Sequence, residues 1–110
     1  MIVSLSNLFK KETSQVLEKE ILSDQVARLR VSKALCYRSG QYLTLWKSQD
    51  VARTYSIASH PSHDDFIEFH VRLYDNGVFS PWVFDGLNVG DEIEIQGPMG
   101  ECFYNANSKD

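Results

Sequence analysis

Two short segments hold residue types whose spacing can do chemistry. In Val51-Ala52-Arg53-Thr54-Tyr55-Ser56-Ile57-Ala58-Ser59, Arg53 and Tyr55 stand two positions apart. On an extended chain that spacing projects a guanidinium and a phenol ring side by side from one face. The pair suits an aromatic phosphate ester. The ring stacks on a flat heterocycle, the fork-shaped cation pairs with a phosphate, and the Ser56 hydroxyl bonds a heteroatom at the heterocycle's edge. Alternation sends Ser56 to the opposite face, so all three meet one ligand only where the strand ends, twists strongly or presents its edge near Tyr55. By themselves the same residues also describe an exposed arginine and a surface tyrosine on an ordinary strand.

The second segment is Asp75-Asn76-Gly77-Val78-Phe79-Ser80-Pro81. Gly77 lets the chain turn sharply, and the amides that follow open a short helix with their hydrogens unpaired, an arrangement that attracts anions. A pyrophosphate held there gains from the Ser80 hydroxyl, with Arg72 just upstream as a counter-charge. Taken alone, the segment reads first as a turn glycine and a capping serine. A third stretch, Gln96-Gly97-Pro98-Met99-Gly100, specifies a fixed turn and no catalytic role. His60, His63 and His70 form no metal-ligand spacing with Cys36 or Cys102, and the two cysteines are too far apart for a CxxC pair, so no metal is expected. Both cysteines read as small, partly buried core thiols. Nucleophile elbow, P-loop, dinucleotide glycine fingerprint and HExxH are all missing.

The elements that must position these residues are short apolar-alternating runs parted by turn residues, the pattern of an all-β sandwich or barrel. The clearest is Phe66 to Tyr74, where Ile67, Phe69, Val71 and Leu73 share one face and Glu68, His70 and Arg72 the other. Weaker runs are Gln15 to Leu22, Gln25 to Lys33, Gln41 to Trp46, Val51 to Ala58, Asp91 to Gln96 and Glu101 to Tyr104. One helix of about two turns is expected from Ser80 to Asp85, with Ser80 as N-cap, Pro81 at the first helical position and Gly86 as the stop. Residues 1–13 read as a lead-in segment, 14–104 as one β domain and 105–110 as a polar, linker-like tail.

With 110 residues, 43% hydrophobic and 24% charged, the chain can build one core and shows no bias toward disorder. The formal charge of −4 and the scattering of basic residues leave no electrostatic footprint for nucleic acid or an anionic membrane. No run approaches the ~20 apolar residues of a membrane span, and the start resembles no secretory signal, so a cytoplasmic location is expected.

In order and spacing, Gly40-Gln41-Tyr42-Leu43, Arg53-Thr54-Tyr55-Ser56-Ile57-Ala58-Ser59, Gly77-Val78-Phe79-Ser80, Val89-Gly90-Asp91 and Gly97-Pro98-Met99-Gly100 resemble the flavin-binding domain of the ferredoxin–NADP reductase family. The resemblance covers residues 14–104 and implies a six-stranded antiparallel Greek-key barrel with one short helix, binding FAD without a covalent bond. It implies that Arg53, with Thr54 beside it, pairs with the flavin phosphate and that Tyr55 stacks on the isoalloxazine. Ser56 would bond the ring nitrogen that accepts hydride, which puts Tyr55 and Ser56 in the catalytic position. Gly77, Val78, Phe79 and Ser80 would hold the pyrophosphate, and His70, Val71 and Arg72 would contact the cofactor largely through backbone. Complete reductases of this family continue into an α/β domain for the nicotinamide nucleotide, and none is expected within this chain. The implied function is that of an FAD-binding domain in an NADH- or NADPH-dependent reductase, working with an NAD(P)-binding domain in cis or in trans and passing electrons to a one-electron carrier such as ferredoxin or flavodoxin. The alternative reading is a β-barrel interaction module that kept the fold without the cofactor.

Overall fold

The structure is a computed structural model that describes residues 11–100. It contains six strands, β1 (Lys11–Ile21), β2 (Val26–Ser32), β3 (Tyr42–Ser48), β4 (Val51–Ser56), β5 (Phe66–Arg72) and β6 (Glu92–Met99), and one helix, α1 (Ser80–Asp85), between β5 and β6. The two-residue period makes the strands. Ala27, Leu29 and Val31 on β2, Ile67, Phe69 and Val71 on β5, Leu43 and Leu45 on β3, and Ile93 and Ile95 on β6 all turn into one core. Burying a side chain of Leu or Phe size stabilises by roughly 1.5–3 kcal/mol, and a one-residue slip would expose a whole row, so the rows fix the register. Phe79, Val83 and Leu87, on and around α1, close one end of that core.

All pairings are antiparallel and the sheet order is β4-β3-β6-β1-β2-β5. β1 serves both halves: Lys11–Gln15 pair with β6 and Val16–Ile21 with β2, with a register shift between Val16 and Glu18 where the long strand can bend. The β2-to-β3 and β5-to-β6 connections skip to distant strands, which gives the Greek-key path. The fold is all-β with six antiparallel strands and one short helix, as expected, and the sheet is not closed, so it is a barrel only in a loose sense. No ladder joins β4 to β5. They are linked by the Ala58 N–H, which donates to the Glu68 carbonyl at 2.8 Å. The reason lies in the loop after β4: Ser59 turns inward, shares a 2.7 Å hydrogen bond with the Tyr37 hydroxyl and accepts the Glu68 N–H at 3.0 Å. Loop atoms thus take the Glu68 N–H and C=O, two of the β5 edge groups that a closing strand would have used.

Several boundaries move. β1 begins at Lys11, three residues before the expected domain start, β4 and β5 each end two residues early, and β6 extends to Met99. The Glu101 to Tyr104 run, Cys102, the first ten residues and the tail lie outside the described residues. Cys36 is exposed, not a core thiol. Ser80 is the first helical residue and Phe79 the N-cap, with no side-chain cap bond, so Pro81 occupies the second helical position. At the other end of α1, the Lys19 ammonium reaches from β1 to the carbonyls of Val83 (3.1 Å), Phe84 (3.0 Å) and Leu87 (2.5 Å). No helix among the described residues is long and apolar enough to cross a membrane.

Candidate functional site

The gap between β4 and β5 is built from backbone. The Ile57 N–H donates to Gln41 O at 3.0 Å, so by alternation the odd residues of β4 bond β3 while Thr54 and Ser56 turn their N–H and C=O to the open edge. Ala58 continues that parity to Glu68. Across the gap, the Leu73 N–H donates to Gln25 O at 2.7 Å, which assigns the odd residues of β5 to β2 and leaves His70 and Arg72 facing β4. Backbone donors and acceptors therefore line both sides of the seam, with no ladder to pair them. Such groups require partners when covered, and a flat heterocycle with nitrogen and oxygen on its rim supplies them.

At the end of the seam lies a cleft of about 430 Å³ lined by Arg53, Thr54 and Tyr55 from β4 and by Tyr74, Gly77, Phe79 and Ser80 from the segment after β5. Tyr55 is half-buried. Its ring centroid lies 5.7 Å from that of Phe79, tilted by 34°, and Phe79 in turn meets Trp82 edge-on at 5.4 Å. This aromatic row fixes the Tyr55 ring. Burial pushes the Tyr55 phenol up, against the opposing charge of Arg53, so the hydroxyl stays protonated at neutral pH. Arg53 is exposed at the mouth, and its Nη1 donates to Ala52 O at 2.7 Å, which covers one of the edge carbonyls of β4.

The opposite wall is a tight loop. The Gly77 N–H donates to Tyr74 O at 2.8 Å, and the Ser80 Oγ accepts the Tyr74 N–H at 2.9 Å. The Ser80 hydroxyl therefore closes the loop instead of capping α1. A Cβ at Gly77 would stand 3.1 Å from Tyr74 O and 3.6 Å from Ser80 Oγ, so glycine is what lets the loop fold this closely. Among the described residues no backbone carbonyl accepts the N–H of Val78 or Phe79. A loop offering unpaired amides, a cation across the cleft and an aromatic ring between them fit an aromatic nucleotide with phosphates.

The structure brings together Arg53, Thr54, Tyr55, Gly77, Phe79 and Ser80 in this cleft. Ser56, exposed, is the last residue of the edge strand, one step beyond the lining. The Thr54 hydroxyl pairs with that of Thr44 at 3.1 Å. Val78 is exposed, with its carbonyl held by Lys47 at 3.2 Å. The Phe79 and Val71 side chains are in the core, which leaves their backbone for any ligand. His70 bonds Glu68 at 2.8 Å and Arg72 bonds Gln25 at 3.3 Å, and neither side chain lines the cleft. Tyr74 was not singled out from sequence, although its place three residues before a turn glycine was a usable signal.

The family model of the oxidoreductase FAD-binding domain matches residues 13–104. Among curated proteins, the reductase component of propane 2-monooxygenase from Gordonia sp. is 33% identical over 95 residues, covering 82% of this chain and 28% of its own length. The ferredoxin–NAD(P)+ reductase component of a Pseudomonas putida naphthalene 1,2-dioxygenase system is 38% identical over 76 residues, covering 69% of this chain and 23% of its own length. Among solved structures, an Amycolatopsis cytochrome P450 reductase superposes with a TM-score of 0.76 at 33% identity, over 84% of this chain and 29% of that one. A Neisseria gonorrhoeae ferredoxin NADP+ reductase with bound FAD and NADP shares the fold at a TM-score of 0.73 and 21% identity, over 83% of this chain and 39% of that one. The chain spans less than a third of the length of the curated relatives it matches.

Proposed function

The chain belongs to the oxidoreductase FAD-binding domain family, and from that premise we propose that it is the flavin-carrying part of an NAD(P)H-dependent reductase. Bound FAD supplies acceptance of a hydride and onward release of electrons, while the protein supplies position and electrostatics. Arg53 holds a flavin phosphate by a charge-assisted pair. Tyr55, its ring set by Phe79, stacks on the isoalloxazine, and Ser56 at the end of the edge strand bonds the ring nitrogen that takes hydride. The backbone of Thr54, His70 and Arg72 along the seam takes the ring's polar rim, with Val71 contributing main chain only. The loop from Gly77 to Ser80 holds the pyrophosphate through its amides.

The hydride source in this reading is NADH or NADPH on an NAD(P)-binding domain, in cis or in trans. The outlet is a one-electron carrier such as ferredoxin or flavodoxin, or an oxygenase. The names of the relatives support both ends, since they are reductase components of monooxygenase and dioxygenase systems. The comparisons lend no support to a cofactor-free interaction module. The observation that carries the site assignment is the convergence of Arg53, Tyr55 and the Gly77–Ser80 loop, distant in sequence, on one cleft beside an unpaired seam. Titration of the 110-residue chain with FAD, followed by flavin fluorescence, tests it. Saturable quenching is expected, weakened about tenfold or more by Arg53→Ala, in line with a charge-assisted bond of about 1.5–3 kcal/mol. Riboflavin, which lacks phosphate, should bind both proteins equally. Equal FAD affinity for wild type and variant would remove the phosphate role from Arg53.

A further inference from the structure

Lys47 stands on β3 two residues beyond the buried Leu45, at the register shift between Trp46 and Ser48. Its ammonium crosses to the loop after β5 and donates to the Val78 carbonyl at 3.2 Å. Val78 sits between Gly77 and Phe79, two residues that line the cleft. In a trans peptide the C=O and the following N–H point in opposite directions. A Val78 carbonyl drawn toward Lys47 therefore turns the Phe79 N–H away from Lys47, and among the described residues no backbone carbonyl takes up that N–H. The Phe79 ring is anchored separately, 1% exposed and packed on Tyr55 and Trp82. With the ring fixed on one side and the Gly77–Tyr74 turn on the other, the Val78–Phe79 peptide plane is left for Lys47 to set.

We propose that Lys47 is a positioning residue for the diphosphate of the bound nucleotide: by holding the Val78 carbonyl it aims the Phe79 N–H into the cleft, and it places a positive charge behind that wall. The inference rests on the reading of the cleft as the FAD site, and it makes Lys47 a determinant of FAD over flavins without a diphosphate. Arg53 and Lys47 then bring charge to the diphosphate from two different strands.

The test is a fluorescence titration of the 110-residue chain, as wild type, Lys47→Met and Lys47→Arg, with FAD and separately with riboflavin. Lys47→Met keeps the aliphatic stem and removes the donor and the charge. It is expected to weaken FAD about three- to tenfold, the range of one ordinary net hydrogen bond, as suits a residue that acts through an intervening peptide, while riboflavin affinity stays within about twofold. Lys47→Arg, which keeps charge and donor, recovers most of the loss. Because FAD and riboflavin are compared within each variant, a general loss of stability cancels. Unchanged FAD affinity in Lys47→Met, an equal fall for both flavins, or failure of Lys47→Arg to recover would overturn the inference and leave the FAD site standing. A wild-type chain that binds neither flavin would overturn the reading of the site, and the role of Lys47 with it.

Discussion

Replacing Tyr55 by Ala separates the stacking role from the phosphate role. The ring is half-buried, and its tilt against Phe79 at 5.7 Å holds it in one orientation, so little ordering remains to be done when a flat ligand arrives. Stacking of a nucleobase on an aromatic side chain is worth about 1–3 kcal/mol by alanine substitution. The isoalloxazine presents at least as large a face, so Tyr55→Ala should weaken flavin binding by about 5- to 150-fold at 1.4 kcal/mol per decade. The loss should be the same for FAD and riboflavin, because the ring is common to both. Arg53→Ala and Lys47→Met should differ in that respect, since the proposed roles of both are on phosphate. Tyr55→Phe keeps the ring and should bind within a few fold of wild type. Tyr55→Ala also removes the contact with Phe79, worth about 0.5–1.5 kcal/mol, and so should lower the melting temperature of the unliganded chain by several degrees. That second readout shows whether the ring had been packed as described. Fluorescence titration with both flavins, alongside thermal unfolding without ligand, measures the stacking and the packing of the ring separately. A Tyr55→Ala protein that melts lower yet binds FAD and riboflavin as tightly as wild type would refute the stacking role.

Two further outcomes follow from contacts away from the cleft. Lys19→Met removes the cation that bonds three carbonyls at the C-terminal end of α1, a helix with no basic residue in its own last turn. A loss of about 1 kcal/mol is expected, with faster amide exchange in α1 than in β2, and unchanged exchange in α1 would show that packing alone holds the helix. Burial, the largest influence, pushes the Glu68 carboxyl up, but hydrogen bonds from Arg30 and His70, both at 2.8 Å, bring it below its ordinary 4.5. A carboxyl depressed by folding adds stability that is complete above its unfolded value and is lost as pH falls through the lower folded value. Glu68→Gln should therefore cost stability at pH 7 and flatten the acid limb below about 4.5, read by urea unfolding across that range. Parallel pH profiles for the two proteins would contradict this.

The strands were legible because burial acts on alternate residues and leaves its period in the sequence. Ile67, Phe69 and Val71 are on one face of β5 in the structure as in the pattern. Leu73 extends the same period, yet β5 stops at Arg72. Where a strand ends depends on its neighbour: the ladder's last pair is Arg72 with Val26, the first residue of β2, and only the Leu73 N–H bond to Gln25 O continues past it. The Ser80 hydroxyl departs from expectation for a similar reason. Its type suits a cap, but the Tyr74 amide across the loop captured it, and that proximity is set by the turn at Gly77. Lys19 and Lys47 could not be singled out at all. Each works through carbonyls more than thirty residues away, and a lysine bonding a carbonyl leaves no local pattern.

In the proposed reading, the place of β4 in the sheet answers the difficulty that alternation poses for Ser56. An interior strand shows a ligand only one face, but an edge strand also shows its own backbone, and β4 is at the edge and ends at Ser56. A closed ladder would have consumed the amides and carbonyls of Thr54, Ser56, His70 and Arg72. Left open, they form a row of donors and acceptors held by two strands, with almost no conformational entropy to lose on binding. Exposed edges invite aggregation, and here the edge is short, six residues in β4, with one carbonyl covered by Arg53 and the next loop tied to Glu68. The same open seam accounts for the sequence pattern. Arg53, Tyr55 and Ser56 are close together in sequence because they flank one unpaired edge, while the Gly77–Ser80 loop, to which the proposed reading gives the diphosphate, can come from far along the chain because it only has to arrive at the seam's end.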